Sequence, residues 1–224
     1  MTNPETELFY LPLGGVGEIG MNLSLYGCDG KWLMVDLGVS FGDDSMPMVD
    51  VVMADPAWIE ERADKLVGLV LTHGHEDHLG AVQYLWKRLR CPVWATPFSA
   101  SLLKAKLHET GLHTQVPINV VELGSRFTVG PFEVEMISVT HSIPEPNTLA
   151  IRTKAGTVIH TGDWKFDPDP LLGLPTDFEA LRRVGKEGVL ALVGDSTNVF
   201  TRGHSGSESE VRASMIELFG RFDG

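Results

Sequence analysis

Within positions 73–78 the sequence places three histidines and two carboxylates, His73-Gly74-His75-Glu76-Asp77-His78. Neutral imidazole nitrogens with carboxylate oxygens form a ligand set that suits zinc and, less selectively, manganese or iron. The alternative is a solvated polar loop without an ion. It gives no reason for so many ligand types at this spacing directly behind an apolar run. That run, Leu66-Val67-Gly68-Leu69-Val70-Leu71, has the character of a strand covered on both faces. From Asp77 onward Leu79, Val82, Leu85, Trp86 and Leu89 recur at helical spacing. The histidines therefore lie at a strand-to-helix junction. His73 and His75 leave alternate positions of an extended segment, Asp77 and His78 leave the first helical turn, and two ions can be served at once.

Three further positions could contribute. Val139-Thr140-His141 ends a predicted strand with a histidine for which the apolar run has no use, and we assign His141 as a third ligand to the first ion. Another strand closes in His160-Thr161-Gly162-Asp163, where one carboxylate could bridge two ions at the roughly 3.5–4 Å separation of two-metal hydrolases. His160 itself is expected to point away, as a packed core residue. Asp36 ends the strand Trp32–Val35, where burial without a partner would be costly. It is expected either to orient a ligand histidine or to cap a turn. His108 and His113 lack neighbouring ligand types and are expected at the surface.

The elements that must position these groups are short. Leu8–Leu11 reads as a strand and is followed by Gly15, Gly17 and Gly20 in a G-x-G-x-x-G pattern. A dinucleotide fingerprint needs a helix there, whereas Asn22–Tyr26 alternates as a strand and Asp29-Gly30 turns into the next. The glycines are expected to form a backbone-rich loop beside the metal site, within an antiparallel hairpin. Residues 39–56 read as a long loop packed by Met46, Met48 and Met53, and 57–65 as a short helix. Strand 92–96 and helix 99–110 follow, then strands at 119–123, 127–129 and 132–140, a hairpin formed by 149–153 and 157–161, and a helix over 208–219 with a Ser207/Glu210 capping box.

The 224 residues carry a formal net charge of -12 and are 43% hydrophobic. This is an ordinary globular composition, and a polyanion would have to be held by metals or by surface elsewhere, because phosphate affinity comes from clustered Lys and Arg. Cys28 and Cys91 form no Cys-x-x-Cys pair and are expected reduced and partly buried. With no basic leader and no apolar run of membrane length, a cytoplasmic protein without membrane contact is expected.

Taken together, Asp36, His73, His75, Asp77, His78, His141 and Asp163 resemble the signature of the metallo-β-lactamase superfamily. More narrowly, Gly14 to Asn22, His75-Glu76-Asp77-His78, Val139 to Pro144, His160 to Asp163 and Asp195-Ser196-Thr197-Asn198 resemble the bacterial ribonuclease J family. The resemblance implies an α/β fold, the αββα sandwich. It implies two Zn2+ ions, with Mn2+ as an alternative, held by His73, His75, Asp77, His78, His141 and Asp163. Asp77, His78 and Asp163 would carry catalysis and Asp36 would lie behind them. It further implies 5′-to-3′ exonuclease and endonuclease action on RNA through metal-held hydroxide, in an enzyme that is a homo-oligomer at full length. That family completes its second ion with a histidine far downstream, beyond an inserted β-CASP domain. His204, the last histidine here, is not expected to replace it. Residues 1–224 are thus expected to be the N-terminal portion of the domain, with 199–224 a junction and weak activity on its own. A thioesterase or lactonase of the same superfamily would share every ligand named.

Overall fold

The computed structural model describes residues 7–222. Strands β1 (Leu8–Gly14), β2 (Leu23–Cys28), β3 (Lys31–Val35), β6 (Leu66–Val70), β7 (Val93–Ala95) and β8 (Ile118–Val120) form one sheet in the order β1-β2-β3-β6-β7-β8. The hairpin half, β1 to β3, is antiparallel, whereas β3, β6, β7 and β8 run parallel. Helices α1 (Ala57–Glu60), α2 (Glu76–Leu79), α3 (Val82–Leu89) and α4 (Pro97–Glu109) fall in the connections between the parallel strands, as parallel pairing requires. The second sheet contains β9 (Arg126–Val129), β10 (Phe132–Ser138), β11 (Asn147–Thr153), β12 (Gly156–His160) and β13 (Ala191–Val193), in the order β13-β12-β11-β10-β9. Helices α5 (Phe178–Glu187) and α6 (Glu208–Phe219) follow β12 and β13 respectively.

Three apolar clusters define the layers. Leu25, Met34 and Leu69 of the first sheet, with Leu71 just past β6, pack with Ile59, Leu85, Leu103 and Leu107 of its helices. Tyr26, Leu33, Val35 and Val70 meet Phe132, Val134, Leu149 and Ile151 between the sheets. Ile137, Ala150 and Ile159 meet Val184 of α5 on the far side. The order helix, sheet, sheet, helix is the expected sandwich. Each fully buried Leu, Ile or Phe contributes roughly 1.5–3 kcal/mol relative to exposure. The central layer therefore fixes where the strands end.

Several local expectations change. Residues 39–56 contain a ribbon of β4 (Val39–Phe41) paired with β5 (Val51–Met53). Met53 packs on the core, but Met48 is fully exposed and packs nothing. The site helix is broken between α2 and α3, so the apolar stripe from Leu79 to Leu89 spans two helices. Cys28 and Cys91 are each only 2% exposed, more buried than expected. Helix α5, capped by Asp177 accepting from the Ala180 N–H at 2.8 Å, and strand β13 were not anticipated. The Ser207/Glu210 capping box is present.

Candidate metal centre

Strands β3, β6 and β12 deliver their next residues to one edge of the sandwich, as does the segment after β10. Asp36 follows β3, Thr72 to His78 follow β6, His141 follows β10 and Asp163 follows β12. The two sheets are tied there: the Asn147 N–H donates to the Thr72 carbonyl at 3.1 Å, and the Asn147 side-chain amide donates to the same oxygen at 3.3 Å. The first sheet closes just as tightly. Asn22 and His78 bond the backbone around Asp36 and Asp77 through Asn22 N to Asp77 O at 3.0 Å and Leu37 N to His78 O at 2.7 Å. Gly38 passes so close that a Cβ on it would lie 1.6 Å from the Asp77 carbonyl oxygen.

On this frame the side chains converge in two sets, His73, His75, His141 and Asp163, and Asp77, His78 and Asp163. In the first, His75 Nδ1 lies 3.1 Å from His73 Nε2 and 3.2 Å from His141 Nε2, and His141 Nε2 lies 3.5 Å from Asp163 Oδ2. In the second, His78 Nε2 lies 3.4 Å from Asp77 Oδ2 and 3.3 Å from Asp163 Oδ1. Ligands about 2.0–2.1 Å from a tetrahedral ion stand about 3.4 Å from one another. These separations match that edge length, so the residues fit a divalent cation in each set. Asp163 turns one oxygen to each.

Asp36 determines which ring nitrogens are free. Its side chain is 1% exposed, its Oδ1 accepts from the Thr72 N–H at 2.8 Å, and its Oδ2 accepts from the Thr72 hydroxyl at 2.8 Å. The same Oδ2 lies 2.8 Å from His78 Nδ1. A carboxylate can only accept, so His78 carries a proton on Nδ1, and its Nε2 lone pair can face the second set when the ring is neutral. The Thr72 hydroxyl, having donated to Asp36, accepts from His73 Nδ1 at 3.0 Å, which leaves His73 Nε2 free toward the first set. One carboxylate thus orients an imidazole in each set.

The electrostatics follow. Burial lowers His73 well below the ordinary histidine value and also lowers His75 and His141, so these rings are neutral at pH 7, the state in which imidazole ligates. Burial opposes charge on His78 too, but the Asp36 carboxylate, with Asp163 and Asp77, raises it well above the ordinary value. Burial pushes Asp77 and Asp163 up, yet the bond to His78 brings each below the usual carboxylate range.

All seven sequence-predicted residues meet at this edge. The glycines at 15, 17 and 20 join β1 to β2, not a strand to a helix, and with Asp77, His78 and Asp163 they line a cavity of about 410 Å³. His108 and His113 are exposed and stacked on each other, and His204 is exposed and outside both sets. Asn22 was missed. Its side-chain amide lies 3.2 Å from His78 Nε2 and donates to the Asp77 carbonyl at 3.0 Å. Its signal in sequence was its place at the end of the Gly14 to Asn22 span that carries part of the family resemblance.

A four-layer sandwich with paired His/Asp sets at its strand ends defines a metal-dependent class of hydrolase. Residues 20–220 match the metallo-beta-lactamase superfamily, and the chain belongs to that family. It is 49% identical over 224 residues to a ribonuclease J of Sinorhizobium meliloti, covering 98% of this chain and 40% of that protein. To a ribonuclease J of Helicobacter pylori it is 40% identical over 223 residues, covering 99% of this chain and 32% of that one. The chain thus spans two fifths or less of these relatives and corresponds to their N-terminal part. Among solved structures, a protein of unknown function from Enterococcus faecalis V583 superposes with a TM-score of 0.63 at 14% identity, over 93% of this chain and 56% of that one. The metallo-beta-lactamase fold protein YhfI from Bacillus subtilis gives 0.53 at 13% identity, over 84% and 95%. These two bear on the fold alone. Among the described residues no helix is long and apolar enough to cross a membrane.

Proposed function

We propose that this chain carries the metal centre of a ribonuclease that hydrolyses RNA phosphodiesters, both from the 5′ end and internally. In this reading zinc, or manganese in its place, is held in one site by His73, His75, His141 and Asp163 and in the other by Asp77, His78 and Asp163. The observation that carries it is the division of the Asp163 oxygens between the two sets, 3.3 Å from His78 and 3.5 Å from His141. Bound ions would supply an acidified water and stabilise charge developing on the phosphate. The chain's own residues hold the tautomers through Asp36, keep three imidazoles neutral, and fix the edge where a phosphodiester would lie. The ribonuclease J relatives favour RNA over a thioester or lactone.

We also propose that residues 199–224 form a junction toward a further domain. In support, Val199, Phe200 and the α6 side chains Val211, Met215 and Ile216 are exposed apolar groups, and the relatives are much longer than the matched span. Residues 223–224 lie outside the described residues.

The test is a 5′-monophosphorylated, 3′-labelled RNA incubated with protein carrying this sequence and zinc or manganese. Metal-dependent cleavage that Asp77→Asn abolishes is expected. Metal retention with hydrolysis of thioesters or lactones and none of RNA would overturn the reading.

A further inference from the structure

His160 was expected to be an inert core residue, and its surroundings are more specific than that. Its ring spans from one sheet toward the other, edge-on to Tyr26 with centroids 6.0 Å apart, and its Nδ1 lies 2.9 Å from the Tyr26 hydroxyl. Tyr26 is 0% exposed, and among the described residues its hydroxyl has no other hydrogen-bond partner. Burial raises Tyr26 far above the ordinary phenol value, so its proton stays on and needs an acceptor. His160 Nδ1 is that acceptor. The ring is neutral, pulled down to about 4 by burial, so its proton sits on Nε2.

The ring also lines the 410 Å³ cavity that contains Asp77, His78 and Asp163. It is not one of the groups in either convergent set, and a protonated Nε2 cannot ligate a metal. Among the described residues the acidic groups lining the cavity are Glu18, Asp77, Asp163 and Asp195, with no Lys or Arg. An anion can enter only where ions offset these carboxylates, and a guanidinium placed among them would pair with a carboxylate. A neutral N–H brings no charge to pair with them and can donate to an anion that ions have already admitted.

We propose that His160 Nε2–H donates a hydrogen bond to a phosphate oxygen of the substrate in this cavity, with Tyr26 as the positioning residue that fixes the tautomer. The inference rests on the phosphodiester reading above. Because the donor is uncharged in both states, its contribution does not vary with pH across the neutral range.

The zinc-loaded chain with 15N-labelled histidine provides the test. The His160 resonances should report the Nε2–H tautomer between about pH 6 and pH 8, Tyr26→Phe should mix the tautomers, and added inorganic phosphate should shift the Nε2–H signal. With bis(p-nitrophenyl) phosphate, His160→Phe should raise KM roughly tenfold, the loss of one hydrogen bond of about 1.4 kcal/mol, with kcat nearly unchanged. His160→Gln places an amide nitrogen near the Nε2 position and should recover most of that loss. An Nδ1–H tautomer, no response to phosphate, or a Gln variant no better than Phe would overturn the proposal. If His160→Phe fails to fold, the tautomer and phosphate measurements on the unmodified chain decide. The expected KM pattern on the diester without cleavage of RNA would support this role and refute the ribonuclease reading alone.

Discussion

Asp36 Oδ2 and His78 Nδ1 are 2.8 Å apart, with side chains 1% and 3% exposed, at the point where the hairpin half of the first sheet meets the His/Asp cluster. Through Thr72 the same carboxylate reaches His73, so it acts on both ligand sets. An amide at this position could not accept from His78 and Thr72 as Asp36 does. Asp36→Asn is expected to weaken metal binding in both sets by about 10–100-fold, the usual cost of losing a partner behind a ligand. Titration against a competing zinc chelator measures this.

Gly38 and Gly17 should respond oppositely to the same substitution. A Cβ on Gly38 would meet the Asp77 carbonyl at 1.6 Å, backbone that cannot move without breaking the Asn22–Asp77 bonds. Gly17, at φ +77, has nothing within 4 Å and faces only the strain of that backbone conformation. Thermal unfolding should show Gly38→Ala losing more than about 4 kcal/mol or failing to fold, and Gly17→Ala losing about 1–2 kcal/mol.

Asp77 belongs to one set only. Asp77→Asn is expected to leave the first set loaded and to reduce the retained ions from two toward one, while cleavage of RNA is lost. Metal analysis after dialysis, with circular dichroism as the check on folding, separates this from general collapse.

Away from the metal centre, Glu135 on β10 is 4% exposed and faces three guanidinium groups, Arg126 at 3.2 Å, Arg152 at 2.8 Å and Arg183. Burial pushes its carboxyl up, but the bonds from Arg183 and Arg152 bring it below the ordinary value. A depressed folded-state pKa contributes stability that is full above the unfolded value and is lost as pH falls through the folded one. Glu135→Gln should therefore destabilise the chain by about 3 kcal/mol at pH 7, and the difference from the parent should shrink as pH falls below about 4. Melting temperatures across that range test it.

The centre was legible because ligand types stood at strand ends, where apolar pattern and packing gave them no other use: His73 and His75 behind Leu66–Leu71, His141 behind β10, Asp163 behind β12. What sequence could not give was contact across the sandwich. Asn22 reaches Asp77 over 55 positions, and Tyr26 reaches His160 over 134. Spacing rules see only near neighbours, so His160 read as filler. Helix α5 was missed because a stretch rich in Pro, Gly and Asp precedes it and its buried face rests on Val184. Strand β13 has three residues, two of them exposed, and so lacks the apolar signal of a paired strand.

Two ions are expected to share Asp163. Crystals of the zinc-loaded chain measured on both sides of the zinc absorption edge test it most directly. Two anomalous peaks roughly 3.5–4 Å apart are expected, one among His73, His75 and His141 and the other between Asp77 and His78, with Asp163 between them. A single peak, or two peaks of which only one lies against Asp163, would contradict it.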